Sequence, residues 1–242
     1  MTPGRKKPAR KSWLRRALRV TLIVLAVWLI STWLVVLLFR FVPPPTSAYM
    51  LESRFAAWRA GKSRYTVRYH WVAWEKVSSA LPISLIASED QKFPFHHGFD
   101  VQAIRTAIDE AQEGERLRGA STISQQTAKN LFLWGGRSFV RKGFEAYFTA
   151  LLEITWSKRR ILEVYMNIAQ FGDGIYGADA AAQTFFHESP AQLAPHQAAV
   201  LAAVLPNPLR LHAAQPSAYV ESRADWIERQ VGQLGGASYL PH

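Results

Sequence analysis

From Val20 to Phe39 the chain is apolar and carries no charge. Folded as a helix, this run spans ~30 Å, the thickness of a bilayer's hydrocarbon core. Arg40 closes it, and Pro43-Pro44-Pro45 stops any continuation. Beyond the prolines the pattern changes to shorter amphipathic units. Ser47 to Lys62 carries Leu51, Phe55 and Trp58 at helical spacing, whereas Tyr65, Val67, Tyr69 and Trp71 alternate and predict one short strand or extended piece. From Ser78 onward the pattern is helical almost throughout. Asp100 is the expected N-cap of Val101–Gln112, with Val101, Ile104, Ile108 and Ala111 on one face. Ser121 or Thr122 starts the next helix, through Leu133, which Gly135-Gly136 ends. Ser138 opens a long helix to about Trp156, its stripe being Val140, Phe144, Phe148, Leu151 and Thr155. Ser157 caps Lys158–Ala169, alanine-rich runs at 178–186 and 196–205 predict closely packed helices, and Pro206-Asn207-Pro208 breaks the chain. A last helix runs from about Ser217 to Leu234 and stops at Gly235-Gly236. There is no internal repeat and no alternation of strand and helix, so the fold class expected is mainly α, one helical domain behind a single transmembrane helix.

Charge gives the anchor a direction. The 242 residues carry a formal +11, but Arg5, Lys6, Lys7, Arg10, Lys11, Arg15, Arg16 and Arg19 crowd the first nineteen positions with no acid among them. Beyond Arg40 the chain is nearly neutral, at a net +2. The excess is therefore topological information, and nucleic acid is not an expected partner. The positive-inside rule divides the chain into a cytoplasmic tail over 1–19, a transmembrane anchor over 20–41 and an external domain over 42–242. A cleaved signal peptide would carry an apolar core of ~7–15 residues followed by small ones, and here the run is longer and leads into Arg40-Phe41-Val42-Pro43. The 49% apolar content suffices for a buried core, and the absence of cysteine excludes disulfides, thiol catalysis and thiolate zinc sites.

Three polar stretches are candidates for chemistry. Ser88 to Asp100 is dense in polar groups and follows Leu81–Ala87, a run expected to be buried; Glu89 and Asp90 at its end are expensive unless paired or functional. A capped surface helix end is the plain alternative. In the second stretch, Thr122, Gln125, Gln126 and Lys129 fall on one side of a helix, a row of donors with one cation that suits a sugar or a phosphate. An ordinary solvated face is the alternative there. In the third, Arg141 and Glu145 stand four apart, as in a simple ion pair, yet Glu145 borders the apolar stripe. No phosphate-binding glycine loop, His-Glu-x-x-His pattern or Gly-x-Ser-x-Gly elbow is present.

Together these stretches resemble the glycosyltransferase family 51 peptidoglycan polymerases. The pattern Glu-Asp-x-x-Phe-x-x-His-x-Gly-x-Asp is met by Glu89, Asp90, Phe93, His96, Gly98 and Asp100; Gly-x-Ser-Thr-x-x-Gln-Gln-x-x-Lys-Asn runs from Gly119 to Asn130; and Arg-Lys-x-x-Glu is Arg141, Lys142 and Glu145. The similarity continues through Ile161–Asn167 and Gly172–Ala182. Departures are Met166 for the usual Leu, Phe185-Phe186 for Tyr-Phe and His187-Glu188 for Gly-Lys. The resemblance implies a lysozyme-like fold and an inverting glycosyltransferase that joins lipid II units into β-1,4 glycan with release of undecaprenyl pyrophosphate. It implies the form without a transpeptidase domain, since such a domain takes about 250 residues and a Ser-x-x-Lys motif. Glu89 is then the base and Glu145 its catalytic companion, orienting cations or sharing a divalent ion, Mg²⁺ or Mn²⁺, with the pyrophosphate; no cofactor is otherwise required. Lys129, Arg141 and Lys142 neutralise the pyrophosphate, Ser121, Thr122, Gln125, Gln126 and Asn130 bind sugars or phosphates, and Asp90, Phe93 and His96 complete the site, Asp90 and His96 shaping the Glu89 loop. Implied partners are lipid II, the growing lipid-linked chain, the membrane, and division or elongation proteins, in a bacterial inner membrane with the domain in the periplasm. A lytic enzyme on the same fold and a non-catalytic scaffold are the rival readings.

Overall fold

A computed structural model describes residues 9–112, 121–136 and 138–241. It divides into two compact units, Met1–Val42 and Pro43–His242. The first is the helix α1, Ala9–Phe41, of which Trp13–Phe41 is long and apolar enough to cross a membrane. Leu22, Ile23, Val27 and Ile30 lie exposed along it. Its polar Thr32 donates its hydroxyl to the carbonyls of Trp28 and Leu29, at 3.0 and 2.9 Å, so this donor is satisfied within the helix.

The second unit is helical, as the pattern predicts, with one small sheet. Its helices are α2 (Ala48–Arg59), α3 (Ala80–Glu89), α4 (Val101–Gln112), α5 (Ile123–Phe132), α6 (Phe139–Thr155), α7 (Lys158–Ile168), α8 (Gly177–Phe186), α9 (Pro195–Val204) and α10 (Ala218–Leu234). The expected starting residues are the N-caps. Ser47, Asp100, Thr122, Ser138, Ser157 and Ser217 each accept a backbone N–H from the first turn, a contribution of about 1 kcal/mol apiece. Leu81 to Ala87 of α3 is buried, and so is Ala198 to Val204 of α9. The alanines let these two helices approach closely, with α10 packed against both, while α5 lies between α6 and α7. The core is therefore one centred on α3, α7 and α9.

The sheet is β1 (Arg68–Tyr69), β2 (Gln170–Gly172) and β3 (Ile175–Tyr176) in the order β1-β3-β2, with β1 parallel and β2 antiparallel to β3 and an irregular register between Gln170 and Gly172. Only the first lies in the predicted extended piece, since strands of two or three residues are too short to show a period. Asn167, fully buried at the end of α7, clamps the sheet to the helices. Its Nδ2 donates to Val72 O and its Oδ1 accepts from Val72 N, at 2.9 and 2.8 Å. Gly177 lies against it at φ +84°, where a Cβ would fall 2.3 Å from Asn167 O.

Three sequence readings are corrected. The buried face of α6 is Arg141, Glu145, Phe148, Thr149, Leu152 and Thr155, while Val140 is exposed and Phe144 and Leu151 are only half-buried. Helix α5 ends at Phe132 rather than at the glycines; Gly135 instead donates its N–H to Glu52. Val101 of the predicted α4 face is exposed; the side chains of Ile104, Ile108 and Ala111, together with Gly119, Ala120 and the first eight residues of the basic tail, lie outside the described residues.

Candidate active site

The end of α3 is built to hold one carboxylate out and one in. Glu89 is the last helical residue and half-buried; Asp90, the C-cap, turns inward. The Asp90 carboxylate accepts from His96 Nε2 at 2.8 Å and from the N–H of Ile123 at 2.9 Å. His96 Nδ1 accepts from Gly98 N at 3.1 Å, so the ring proton belongs on Nε2, facing Asp90. Ile123 opens α5, so Asp90 satisfies a free N–H at that helix start and places negative charge where the helix dipole favours it. Thr122 and Gln125 complete the joint as a capping box, and the Thr122 hydroxyl donates to Gly98 O at 2.7 Å. Gly98 is itself pressed against α6. At φ +85°, an added Cβ would lie 2.8 Å from Thr149. Loop, α5 and α6 are thereby fixed relative to one another.

Gln126 carries the connection inward from Glu89. Its Nε2 donates to Glu89 Oε2 at 2.7 Å, and its Oε1 accepts from the Tyr165 hydroxyl at 3.1 Å. Tyr165 is fully buried, and burial, helped by the charges of Glu89 and Asp90, pushes its phenol well above the ordinary range. It therefore stays a donor, which sets the amide of Gln126 with its NH₂ toward Glu89. Two cavities hold the partners of this bond, Glu89 lining one and Gln126 the other. One of about 300 Å³ is lined by Glu89, Lys92, Asp100 and Ser121. The other, of about 120 Å³, is lined by Tyr49, Gln126, Lys129, Asn130, Tyr165 and Gln170.

Lys129, one turn beyond Gln126, feels the charge of Glu89 and of a second carboxylate, Glu145. Burial lowers its pKa, Glu145 and Glu89 raise it, and Arg141 and Lys142 lower it further, so both glutamates lie within its electrostatic reach. Its ammonium stands 5.5 Å from the Tyr49 ring. Glu145 is almost wholly buried and accepts from Arg141 Nη1 at 2.6 Å and from Lys142 Nζ. Arg141 Nε is buried with no acceptor. Three cations and one buried, doubly bonded carboxylate thus form an electropositive wall beside Glu89, with a guanidinium donor left to serve an anion.

A transglycosylase family model matches residues 58–232, which span every one of these groups except Tyr49. The chain belongs to the transglycosylase family and is a glycosyltransferase. Curated relatives are similar over nearly the whole length. Proteins named biosynthetic peptidoglycan transglycosylase from Xanthomonas axonopodis pv. citri, Cronobacter sakazakii and Stutzerimonas stutzeri are 51%, 52% and 53% identical, covering 96%, 93% and 93% of this chain and 94%, 92% and 93% of their own. The mainly helical domain of this transglycosylase is the lysozyme-like one its motifs imply.

The structure brings the expected residues of the transglycosylase together, but not all in one role. Glu89, Ser121, Gln126, Lys129 and Asn130 line the two cavities, and Arg141, Lys142 and Glu145 stand beside Lys129. Phe93, His96 and Gln125 line neither. Phe93 is a core ring with Lys158 Nζ 4.6 Å from its centre, and Asp90, His96, Thr122 and Gln125 are used up in the bonds that frame the site. The sequence reading missed Tyr49 and gave Tyr165 no role. Tyr165 follows Ile161 and Leu162 on an amphipathic helix and reads as core, and its hydroxyl partner is thirty-nine residues away.

Proposed function

We propose that the enzyme polymerises lipid II into β-1,4-linked glycan and releases undecaprenyl pyrophosphate. The observation that carries this reading is that Lys129 feels the charges of both Glu89 and the Arg141, Lys142 and Glu145 cluster, while Gln126 holds Glu89. An acceptor sugar enters at Glu89, which takes the proton of its 4-hydroxyl, a step worth ~10²–10⁴-fold. The new bond forms at the donor's anomeric carbon as the carbon–oxygen bond to pyrophosphate breaks on the opposite face, which inverts the linkage. The diphosphate leaves with the bonding electrons, and Lys129, Arg141 and Lys142 neutralise that charge. Glu145 holds Arg141 and Lys142 in place.

A divalent ion at Glu145 fits poorly. The carboxylate is already bound by Arg141 and Lys142, one of which an ion would have to displace. Among the described residues, the His/Asp/Glu group with ligand atoms close enough for a metal is His196, Asp225 and Glu228, on α9 and α10. The same saturation of Glu145 disfavours lysis, in which a second carboxylate must be free to act on the sugar or a water.

The substrate's lipid requires work at a bilayer surface. In this reading α1 anchors the enzyme in the inner membrane with its basic end in the cytoplasm and the catalytic unit in the periplasm. Trp134, Phe139 and Val140, all exposed, offer a second contact. Leu131 and Leu133 are core, and Phe132 stacks on Phe148. The test of the reading is Glu89→Gln, assayed with labelled lipid II. The variant keeps the wild-type melting profile and makes no glycan; retained synthesis removes Glu89 from the base role. Release of fragments from purified sacculi by the wild type would favour lysis instead.

A further inference from the structure

A cavity of about 600 Å³ is neither of the two described above. Its walls are the segment leading into β1, the β2–β3 turn, the end of α8 and the chain after α9. Phe171, Ile175 and Phe185 give it an apolar floor, of which Phe171 is fully buried. Gly172 keeps it open, since a Cβ there would lie 3.0 Å from the Phe185 ring.

Its charge is unbalanced. Arg64 and Arg68 both line it, and among the described residues neither is paired with a carboxylate. The polar contact of Arg68 is the Thr184 hydroxyl at 3.5 Å. By contrast, Arg141, Arg159 and Arg160 are each bonded to a glutamate. Asp173, the cavity's own carboxylate, faces the Tyr65 hydroxyl, which burial and then this charge help hold protonated. Two forked donors above an apolar floor suit a ligand with free carboxylates and small apolar side chains, a short acidic peptide. A bare phosphate would leave the floor unused. Pro208 lines both this cavity and the one holding Lys129, so the two are neighbours.

We propose that this cavity seats the peptide branch of the peptidoglycan strand, with Arg64 and Arg68 binding its carboxylates while the sugars lie beside Lys129. The proposal rests on the peptidoglycan reading above. It is tested with the full-length enzyme in liposomes and two lipid-linked disaccharides, one with its natural peptide and one with the peptide carboxylates amidated. The readout is the ratio of kcat/KM for the two. The wild type prefers the free carboxylates by about tenfold, and Arg64→Glu/Arg68→Glu brings the ratio to one or below. Arg64→Gln/Arg68→Gln gives an intermediate ratio, and all three proteins melt alike, both side chains being exposed. An equal ratio in wild type and charge-reversed enzyme overturns the proposal and leaves the polymerase reading standing. Failure of the wild type to polymerise either substrate overturns both.

Discussion

Gln126→Leu is the sharpest probe of how the site is held. The substitution removes a 2.7 Å charge-assisted bond to Glu89 and the acceptor of a fully buried Tyr165 hydroxyl. The two losses have different consequences. Water reaches half-buried Glu89 and replaces the lost donor, so that change is read in catalysis. If the amide holds the carboxylate in its working rotamer, forfeiting a bond of about 1.5–3 kcal/mol lowers kcat roughly 10- to 100-fold. Tyr165 has no such replacement. Leaving its hydroxyl unsatisfied costs about 1–3 kcal/mol of stability, a fall in Tm of roughly 2–12 °C for a domain of this size. The double variant Gln126→Leu/Tyr165→Phe separates the two, because removing both partners is nearly neutral for stability. Continuous lipid II polymerisation and thermal melting are the assays. Stability returns in the double variant and kcat does not. A Gln126→Leu enzyme with unchanged kcat, or a double variant that regains it, refutes the positioning role.

Five further outcomes follow from particular residues. Gly177→Ala forces a Cβ to 2.3 Å from the Asn167 carbonyl at φ +84° and destabilises by about 3 kcal/mol or more. Gly143→Ala, in open space on α6, stabilises by about 0.5–1 kcal/mol; thermal melts compare them. Burial lowers the Lys129 pKa below 10.5, so between the two values the unfolded chain binds more protons and stability rises with pH, whereas at pH 7 both states are protonated and the penalty is fully present. Lys129→Met therefore raises Tm at pH 7 while abolishing polymerisation, and its advantage shrinks in alkali; a lower Tm at neutral pH would contradict the burial argument. His187, the left-handed C-cap of α8 at φ +59°, is relieved by His187→Gly, a gain of about 0.5–1 kcal/mol in chemical denaturation. Trp134→Glu with Phe139→Glu weakens flotation of residues 43–242 with anionic liposomes, and unchanged binding would take these side chains out of the membrane contact.

Local chemistry made much of this protein legible before any coordinates. Capping residues placed six helix starts because a serine, threonine or aspartate there satisfies an N–H within one turn. The apolar run from Val20 marked a helix long and apolar enough to cross a membrane. The motif strings marked Glu89, Lys129 and Glu145 without showing that they share a site. What stayed hidden depended on partners distant in the chain. The buried face of α6 carries Arg141 and Glu145, and hydropathy assigned such a face to Val140 and Phe144, because a charged pair enters a core only when a neighbouring cation and an anion-binding role offset its desolvation. Phe93, Thr122 and Gln125 read as ligand contacts, yet they frame the loop. Whether a hydroxyl or amide faces substrate or its own backbone is decided by the segment packed beside it.

The order of residues was thus sufficient for the helices, the long apolar one among them, and for the family, all set by interactions spanning a few positions. Only the packed chain decided that Tyr165 is tied to Glu89 through Gln126, that Lys129 feels the charge of two carboxylates, and that Arg64 and Arg68 share a hollow. Those relations join α3, α5, α6 and α7, and the turns around β1 and β3, across separations that no periodicity encodes. They exist because burial brings the elements together and each buried polar group must then find a partner.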